Sequence, residues 1–290
     1  MIELNTFLQD NLKSTKMKNL KMVAFFFIMA CFSCSKDDNE EKIVFQETQI
    51  NLTSHKLTAF SVIKNSKYLI VFESGLGDDH SVWQEKDVAY EMAKSSDVLL
   101  YDRAGYGKSE TNNSPRNIFK LRTELEQVID NVSNGRKVIL VGHSLGGMII
   151  RDYAIHNPIK TAGLVFVDAS HEMFNNPTQS EEDQIFSYYN STYGKNFGAT
   201  IESRELVEDT QYMTTLSNLP NIPVIAITSM KIDAAHNAAD RQLWYNSKEA
   251  LKTGVTDFTH ITTTKSGHYI MLEEPFLVIE KIKSILSRLP

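Results

Sequence analysis

Continuously apolar strands alternate with helical segments from Tyr68 onward, and this alternation limits the possible folds more than any other feature of the chain. The apolar segments read YLIVFES, DVLLYD, KVILVG, GLVFVD and PVIAITS. Between two of them, hydrophobic residues recur at helical spacing from Ile118 to Val132. Strands that are apolar on both faces and separated by helices form parallel sheets with right-handed crossovers. We therefore predict an α/β fold with a mostly parallel, doubly wound sheet.

Further elements extend this pattern at both ends. The segments VFQETQINL and KLTAFSVI predict an antiparallel hairpin, and DFTHITTT predicts a last strand. Helices are expected over Ser81–Lys94, over Leu145–His156 and from Pro275 onward. Residues 171–220 interrupt the alternation with a polar, aromatic-rich stretch, for which a small helical cap insertion is more plausible than a long loop. Its aromatic side chains could line an apolar pocket or form the core of the insertion itself.

The N-terminal segment differs from the rest. Lysines precede the apolar run MVAFFFIMACF, which has the length of a signal-peptide core, so residues 1–33 are expected to be a signal peptide with a possible true start at Met17. The following FSCSKDDNEE resembles the lipobox and acidic tether of bacterial lipoproteins. This resemblance implies lipidation of Cys34, with Cys31 as a second candidate, and a tether over 34–42. Simple signal cleavage without a lipid is the alternative.

Composition narrows the possible classes of protein. The 290 residues are 42% hydrophobic and 23% charged, which suits one large soluble domain, placed at 43–290. The net charge of −6 and the lack of a basic run argue against nucleic acid as a partner. Ligand-spaced His or Cys clusters and phosphate-binding loops are also missing from the sequence, so no metal and no cofactor are expected. Membrane contact is expected only through the lipid anchor.

The turn Gly142-His143-Ser144-Leu145-Gly146 joins a predicted strand to a predicted helix. A serine in such a tight turn needs small neighbours two positions before and two after it, and glycine fills both. The start of the helix also directs backbone N–H groups to the place where an oxyanion would form. Ser144 is therefore predicted to be a nucleophile.

Several motifs together resemble the α/β-hydrolase fold family. They are GHSLGG, ESGLGDDHSVW, YDRAGYGKS, VDASHE and SGHYI, and they follow the order of the family from about residue 43 to the end. The resemblance implies that the backbone N–H groups of Leu76 and Leu145 form the oxyanion hole. Ser74 is a departure, because many members have His at this position before the Gly.

A serine nucleophile needs a base and an orienting acid. His268 follows the last strand, where the family places its base, whereas His143, His156 and His260 have ordinary structural explanations. Two acids follow strands at the required edge. We favour Asp168, which directly ends its strand, and keep Asp233, beyond the next strand, as the alternative.

These residues predict a serine hydrolase that acts on a small-molecule acyl substrate, most simply a carboxylic ester, through an acyl-enzyme. A slow ligand-binding receptor on the same fold, a cofactor-free haloperoxidase and a carbon–carbon hydrolase are the alternatives. The signal segment adds the expectation that the protein is exported and anchored to a bacterial cell-envelope membrane, or otherwise periplasmic or secreted.

Overall fold

A twisted sheet of eight strands lies at the centre of the protein, in the order β1-β2-β4-β3-β5-β6-β7-β8. The computed structural model describes residues 42–234 and 236–290. The strands are β1 Gln46–Asn51, β2 Lys56–Val62, β3 Leu69–Glu73, β4 Asp97–Tyr101, β5 Val138–His143, β6 Thr161–Val167, β7 Val224–Ser229 and β8 Phe258–Thr263. Strand β2 is antiparallel to β1 and β4, and the other neighbours are parallel. The predicted mostly parallel α/β sheet is confirmed.

Helices cover both faces of this sheet. They are α1 Val88–Ala93, α2 Ile118–Val132, α3 Leu145–His156, α4 Gln179–Tyr193, α5 Gly198–Glu202, α6 Leu206–Thr214, α7 Ala238–Glu249, α8 Ile270–Glu273 and α9 Pro275–Arg288. Successive residues along a strand point to opposite faces of the sheet and pack in two separate hydrophobic cores. Leu140 packs with residues of α2 and α3, whereas its neighbour Ile139 packs with residues of α1 and α9. Burial on both faces explains the continuously apolar strands.

The helix expected over Ser81–Lys94 is wrong as a single element. The chain forms a 3₁₀ turn over His80–Trp83, then a turn, and then α1. Asp87 at the break has a φ of 61°, which places it in the left-handed region and prevents a continuous helix. The apolar spacing survives the break, because Trp83 and Val88 still reach the same core.

Helices α4, α5 and α6 occupy the interval between β6 and β7 for which an insertion was predicted at 171–220. Most of its aromatic residues pack on one another or on the main domain. The rings of Tyr189, Tyr193 and Phe197 pack against one another at tilted angles, and Phe197 also contacts Tyr106. Among the described aromatic residues of the interval 171–220, Phe174 is the one that lines the cavity discussed below. The aromatics therefore serve mainly as the core of the insertion.

The predictions for the N-terminal segment lie outside the described residues. These are the signal peptide at 1–33, the start at Met17, lipidation of Cys34 or Cys31, and the tether at 34–42 except its last residue. Within the part of the chain that the structure does describe, none of the helices combines the length and apolar character required to cross a membrane.

Candidate active site

Ser144 lies in the tight turn between β5 and α3. Its φ is 51° and its ψ is −125°, a conformation that costs a non-glycine residue about 1–3 kcal/mol. A Cβ at Gly142 would approach the carbonyl oxygen of Gly146 to 2.7 Å, and one at Gly146 would approach that of Glu73 to 2.5 Å. The backbone carbonyl of Ser144 accepts hydrogen bonds from the N–H groups of Gly147 and Ser170. The surrounding chain thus holds the strained turn in place.

His268 and Asp168 form a hydrogen-bonded pair. The Nδ1 atom of His268 lies 2.8 Å from Oδ2 of Asp168. The other carboxylate oxygen, Oδ1, accepts from the backbone N–H of Ser229 at 2.9 Å and from Nε1 of Trp244 at 2.7 Å. Burial alone would raise the pKa of Asp168, but the hydrogen bond and charge of His268 and the other two donors outweigh it, so the pKa lies below its ordinary value.

This ionisation state sets the tautomer of His268. Because Asp168 is an ionised acceptor, Nδ1 of His268 carries the hydrogen, and the lone pair of the neutral ring is on Nε2. Asp168 itself has a φ of 43°. It follows β6 without a spacer, so the carboxylate has a fixed direction. The pair therefore has the arrangement needed for an oriented general base.

Asp233 has different partners. Its Oδ1 atom accepts from the backbone N–H of His236 at 2.9 Å and lies 3.3 Å from Nδ1 of the same residue. Its side chain is 29% exposed, against 1% for Asp168. The structure brings Asp168, and not Asp233, to His268.

His143 supports the loop that carries His268. Burial, reinforced by the nearby charge of His268, holds the pKa of His143 well below its ordinary value, so the ring is neutral. Its Nε2 atom donates to the backbone carbonyl of His268 at 3.1 Å. Ser229 adds a second support, donating from Oγ to the carbonyl of Ser266 at 2.8 Å. His143 is thus a positioning residue.

The loop with the predicted oxyanion donor Leu76 is held on several sides. Arg103 donates to the carbonyls of Ser74 and Gly75 at 2.7 and 2.9 Å. Gly77 donates from its backbone N–H to the hydroxyl of Tyr106 at 3.3 Å. A Cβ at Gly75 would lie 3.1 Å from Cβ of Ser144, so the loop runs directly beside the turn that carries Ser144.

Leu76 follows Gly75 in this loop and Leu145 follows Ser144, and both leucines line the same cavity. Leu145 is the first residue of α3, where a backbone N–H has no acceptor within the helix. At Ser74, which replaces the histidine common in the family, the side-chain hydroxyl donates to the carbonyl of Asp79 at 3.1 Å.

The residues around Arg103 were not predicted as part of the site. Besides the loop carbonyls, the guanidinium donates to Glu73 at 2.8 Å and to both carboxylate oxygens of Glu202 at 2.9 and 3.0 Å. Tyr106 also donates to Glu202, at 2.6 Å. Glu202 belongs to α5 of the insertion, so these buried contacts join the insertion to the loop that carries Leu76. Part of the signal was present in the sequence, because Glu73 ends one apolar strand and Arg103 follows the strand beside it.

A buried lysine lies behind the acid. Nζ of Lys248 is 3.2 Å from the centre of the Trp244 ring and donates to Oγ of Ser247 at 2.9 Å. Burial lowers its pKa to about 7, although the negative charge of Asp168 opposes this effect. Sequence reasoning missed Trp244 and Lys248, because α7 carries no motif that marks them.

A cavity of about 290 Å³ connects the predicted site residues with the insertion. Ser144, His268, Asp168, Leu76 and Leu145 all line it. Apolar and aromatic side chains form much of the remaining wall: Met148, Met173, Phe174, Ile185, Leu206, Leu243 and Trp244. A mostly apolar cavity with a few convergent polar groups is typical of a small-molecule site.

Asp79, His80 and Asp102 form the one group of possible metal ligands found among the described residues. Their contacts have another explanation. Asp102 accepts from the backbone N–H and Nδ1 of His80, and Asp79 accepts from Ser81 at the start of the 3₁₀ turn. These bonds are sufficient to account for the cluster as loop structure.

Comparisons with known proteins agree with this architecture. Residues 68–279 match the family described as alpha/beta hydrolase fold. The chain is 25% identical to YqjL of Bacillus subtilis (strain 168) over 214 residues, which cover 74% of this chain and 81% of YqjL. It is 33% identical to 3-oxoadipate enol-lactonase 2 of Acinetobacter baylyi over 89 residues, only 31% of this chain and 32% of that enzyme.

Among solved structures, a thermophilic esterase from Thermogutta terrifontis superposes with a TM-score of 0.65 at 15% identity. The match covers 84% of this chain and 98% of the esterase chain. At this identity the likeness concerns the fold.

Proposed function

The chain belongs to the α/β-hydrolase fold family, and on this basis we propose that it is a serine hydrolase that cleaves carboxylic esters. The family and the relatives support a hydrolytic function in general. The ester, the acyl-enzyme and the roles of individual residues are our proposal. The observation that carries it is the hydrogen bond of 2.8 Å between His268 and Asp168, in a cavity that Ser144 also lines from a strained turn.

In the proposed reaction, Oγ of Ser144 bonds to the ester carbonyl carbon while Nε2 of His268 takes the hydroxyl proton. Asp168 stabilises the resulting imidazolium through Nδ1. The carbonyl oxygen becomes an oxyanion, which accepts hydrogen bonds from the N–H groups of Leu76 and Leu145. The carbon–oxygen bond to the alcohol then breaks, and His268 returns its proton to the alcohol.

Water completes the cycle. His268 removes a proton from water as the water oxygen bonds to the acyl carbon, and the bond to Ser144 breaks with return of the proton to Oγ. The products are an alcohol and a carboxylic acid. The apolar part of the cavity wall suits an acyl group with apolar surface to bury, because burial of apolar surface stabilises the complex.

A series of p-nitrophenyl esters with acyl chains of increasing length tests this proposal on the full-length protein. We expect saturable hydrolysis with an optimum chain length, and loss of the activity in Ser144→Ala. An inactive wild type that is folded by circular dichroism would reject ester hydrolysis and favour the receptor alternative. Unchanged hydrolysis in Ser144→Ala would reject the serine mechanism.

We also propose that the protein is exported and anchored by a lipid on Cys34. The support is the apolar run, the small residue before Cys34 and the acidic residues after it. Metabolic labelling with an alkynyl fatty acid should mark the wild type and Cys31→Ser, and should fail to mark Cys34→Ser. Label that persists in Cys34→Ser would overturn the assignment.

A further inference from the structure

Asp209 on helix α6 is a buried acid that the proposed mechanism does not use. The residue is 2% exposed and lines the cavity from the insertion. Its Oδ1 atom accepts a hydrogen bond of 2.7 Å from the backbone N–H of Ile118, the first residue of α2. Within residues 42–234 and 236–290 this is the one hydrogen bond to the carboxyl group, and the group has no ion-pair partner there.

The electrostatic surroundings make a buried acid costly at this position. Burial raises the pKa of Asp209 well above its ordinary value; the N–H of Ile118 opposes this, but the charges of Glu205, Glu202 and Glu208 raise it further. An asparagine would satisfy the same N–H without that cost. The backbone N–H at the start of helix α2 therefore accounts for Oδ1 of Asp209 but does not account for the second carboxyl oxygen.

Three other charged residues of the cavity wall already have partners. Glu181 accepts from Thr178 in a capping box, and Asp240 accepts from Asn237 in another. Arg241 is the one Lys or Arg among the described lining residues, and it donates to the carbonyl of Lys231 at 2.7 Å. Among the described residues, no group forms a hydrogen bond with Oδ2 of Asp209. A donor on a molecule in the cavity that bonded to this atom would favour the ionised carboxylate and offset the cost of burying it.

We propose that Asp209 forms a polar subsite that accepts a hydrogen bond from a donor group, a hydroxyl or an ammonium, on the part of the substrate that lies against the insertion. This inference rests on the proposed function and adds a substrate class to it: esters with a hydrogen-bond donor on the acyl or alcohol part. A carboxylate end is excluded, because acids dominate the charged lining.

The test uses p-nitrophenyl esters of equal chain length that end in a methyl, hydroxyl, ammonium or carboxylate group, with the full-length protein. In Asp209→Asn the amide oxygen still accepts from Ile118, but an NH₂ group, which cannot accept, replaces Oδ2. Relative to the methyl ester, kcat/KM for a donor-ended ester should fall about tenfold in this variant, mainly through KM. The control is Gln211→Ala, which changes an exposed side chain of the same helix without altering its charge and should keep the wild-type ratio.

The hydroxyl-ended and ammonium-ended esters show which kind of donor group the subsite binds. A fall in relative kcat/KM for either ester in Asp209→Asn supports the subsite. An unchanged ratio in Asp209→Asn overturns it, as does a carboxylate ester that reacts faster than the methyl ester. Calorimetric titration with a hydroxyl-ended and a methyl-ended alkyl ketone repeats the comparison without ester cleavage. The subsite is supported if Asp209→Asn binds the hydroxyl-ended ketone about tenfold more weakly than the wild type does and binds the methyl-ended ketone equally well. It is rejected if the wild type and Asp209→Asn bind the hydroxyl-ended ketone with equal affinity, even if no ester is hydrolysed.

Discussion

Replacement of Asp168 by asparagine tests the proposed catalytic pair through the tautomer of His268. Two N–H donors, from Ser229 and Trp244, point at Oδ1. If the amide NH₂ took this position, both buried donors would lose their acceptor, at a cost of about 1–3 kcal/mol each. The amide oxygen therefore stays at Oδ1, and the NH₂ group faces Nδ1 of His268.

In that arrangement Nδ1 has to accept, so the hydrogen of the neutral ring moves to Nε2, where His268 can no longer take a proton from Ser144. We expect kcat to fall by about 10⁴-fold, which corresponds to about 5.4 kcal/mol in the activation free energy. Initial rates with a p-nitrophenyl ester measure this, and thermal unfolding reports whether the variant is folded.

The matched control is Asp233→Asn, which changes an acid that contacts His236 instead. It should retain kcat within about threefold, since surface changes outside a site have small effects. Near-normal activity in folded Asp168→Asn, together with collapse in Asp233→Asn, would refute the reasoning and transfer the role.

Three further predictions concern residues around the pair. Arg103→Lys keeps the charge but loses the planar guanidinium whose N–H groups hold the loop that carries Leu76. We expect kcat to fall about 10²-fold in steady-state assays. A change below threefold would count against a positioning role for Arg103. Trp244→Phe removes one donor to Asp168 and should lower kcat/KM up to about tenfold; an unaltered value would show that the bond is dispensable. Lys248→Met tests a lysine whose pKa is about 7 in the folded protein, against an ordinary value of 10.5. Between about pH 7 and pH 10.5 the unfolded chain binds more protons at Lys248 than the folded protein does. Lys248 therefore makes the free energy of unfolding of the wild type rise with pH in this range, by up to roughly 1.4 kcal/mol per pH unit. Denaturant titrations at several pH values should show that the variant lacks this rise. A free energy of unfolding that rises equally with pH in the wild type and the variant would contradict it.

The sheet was predictable because its strands are buried on both faces and their sequences are therefore continuously apolar. The turn that carries Ser144 was predictable for a local reason, since a Cβ at position 142 or 146 would lie less than 3 Å from backbone atoms. The helix over Ser81–Lys94 could not be predicted correctly, because its apolar spacing is compatible with two short helices reaching one core, and the left-handed Asp87 gave no clear sequence signal.

The remaining features depend on contacts between distant parts of the chain. In the sequence, Asp168 is favoured over Asp233 partly because it follows its strand directly, whereas the structure adds Trp244, 76 residues away, as a donor to its carboxylate. Arg103 and Glu202 are 99 residues apart, and nothing near Glu202 in the sequence identifies its partner. Asp209 was likewise indistinguishable from an ordinary surface acid until α6 was placed against α2.

The central claim is that Ser144 is a nucleophile activated by His268. Intact-mass and peptide mass spectrometry after treatment with a fluorophosphonate probe tests it most directly. The account predicts one covalent adduct located on Ser144, with strongly reduced labelling in His268→Ala and none in Ser144→Ala. A folded wild type that remains unlabelled, or an adduct on a different residue, would contradict it.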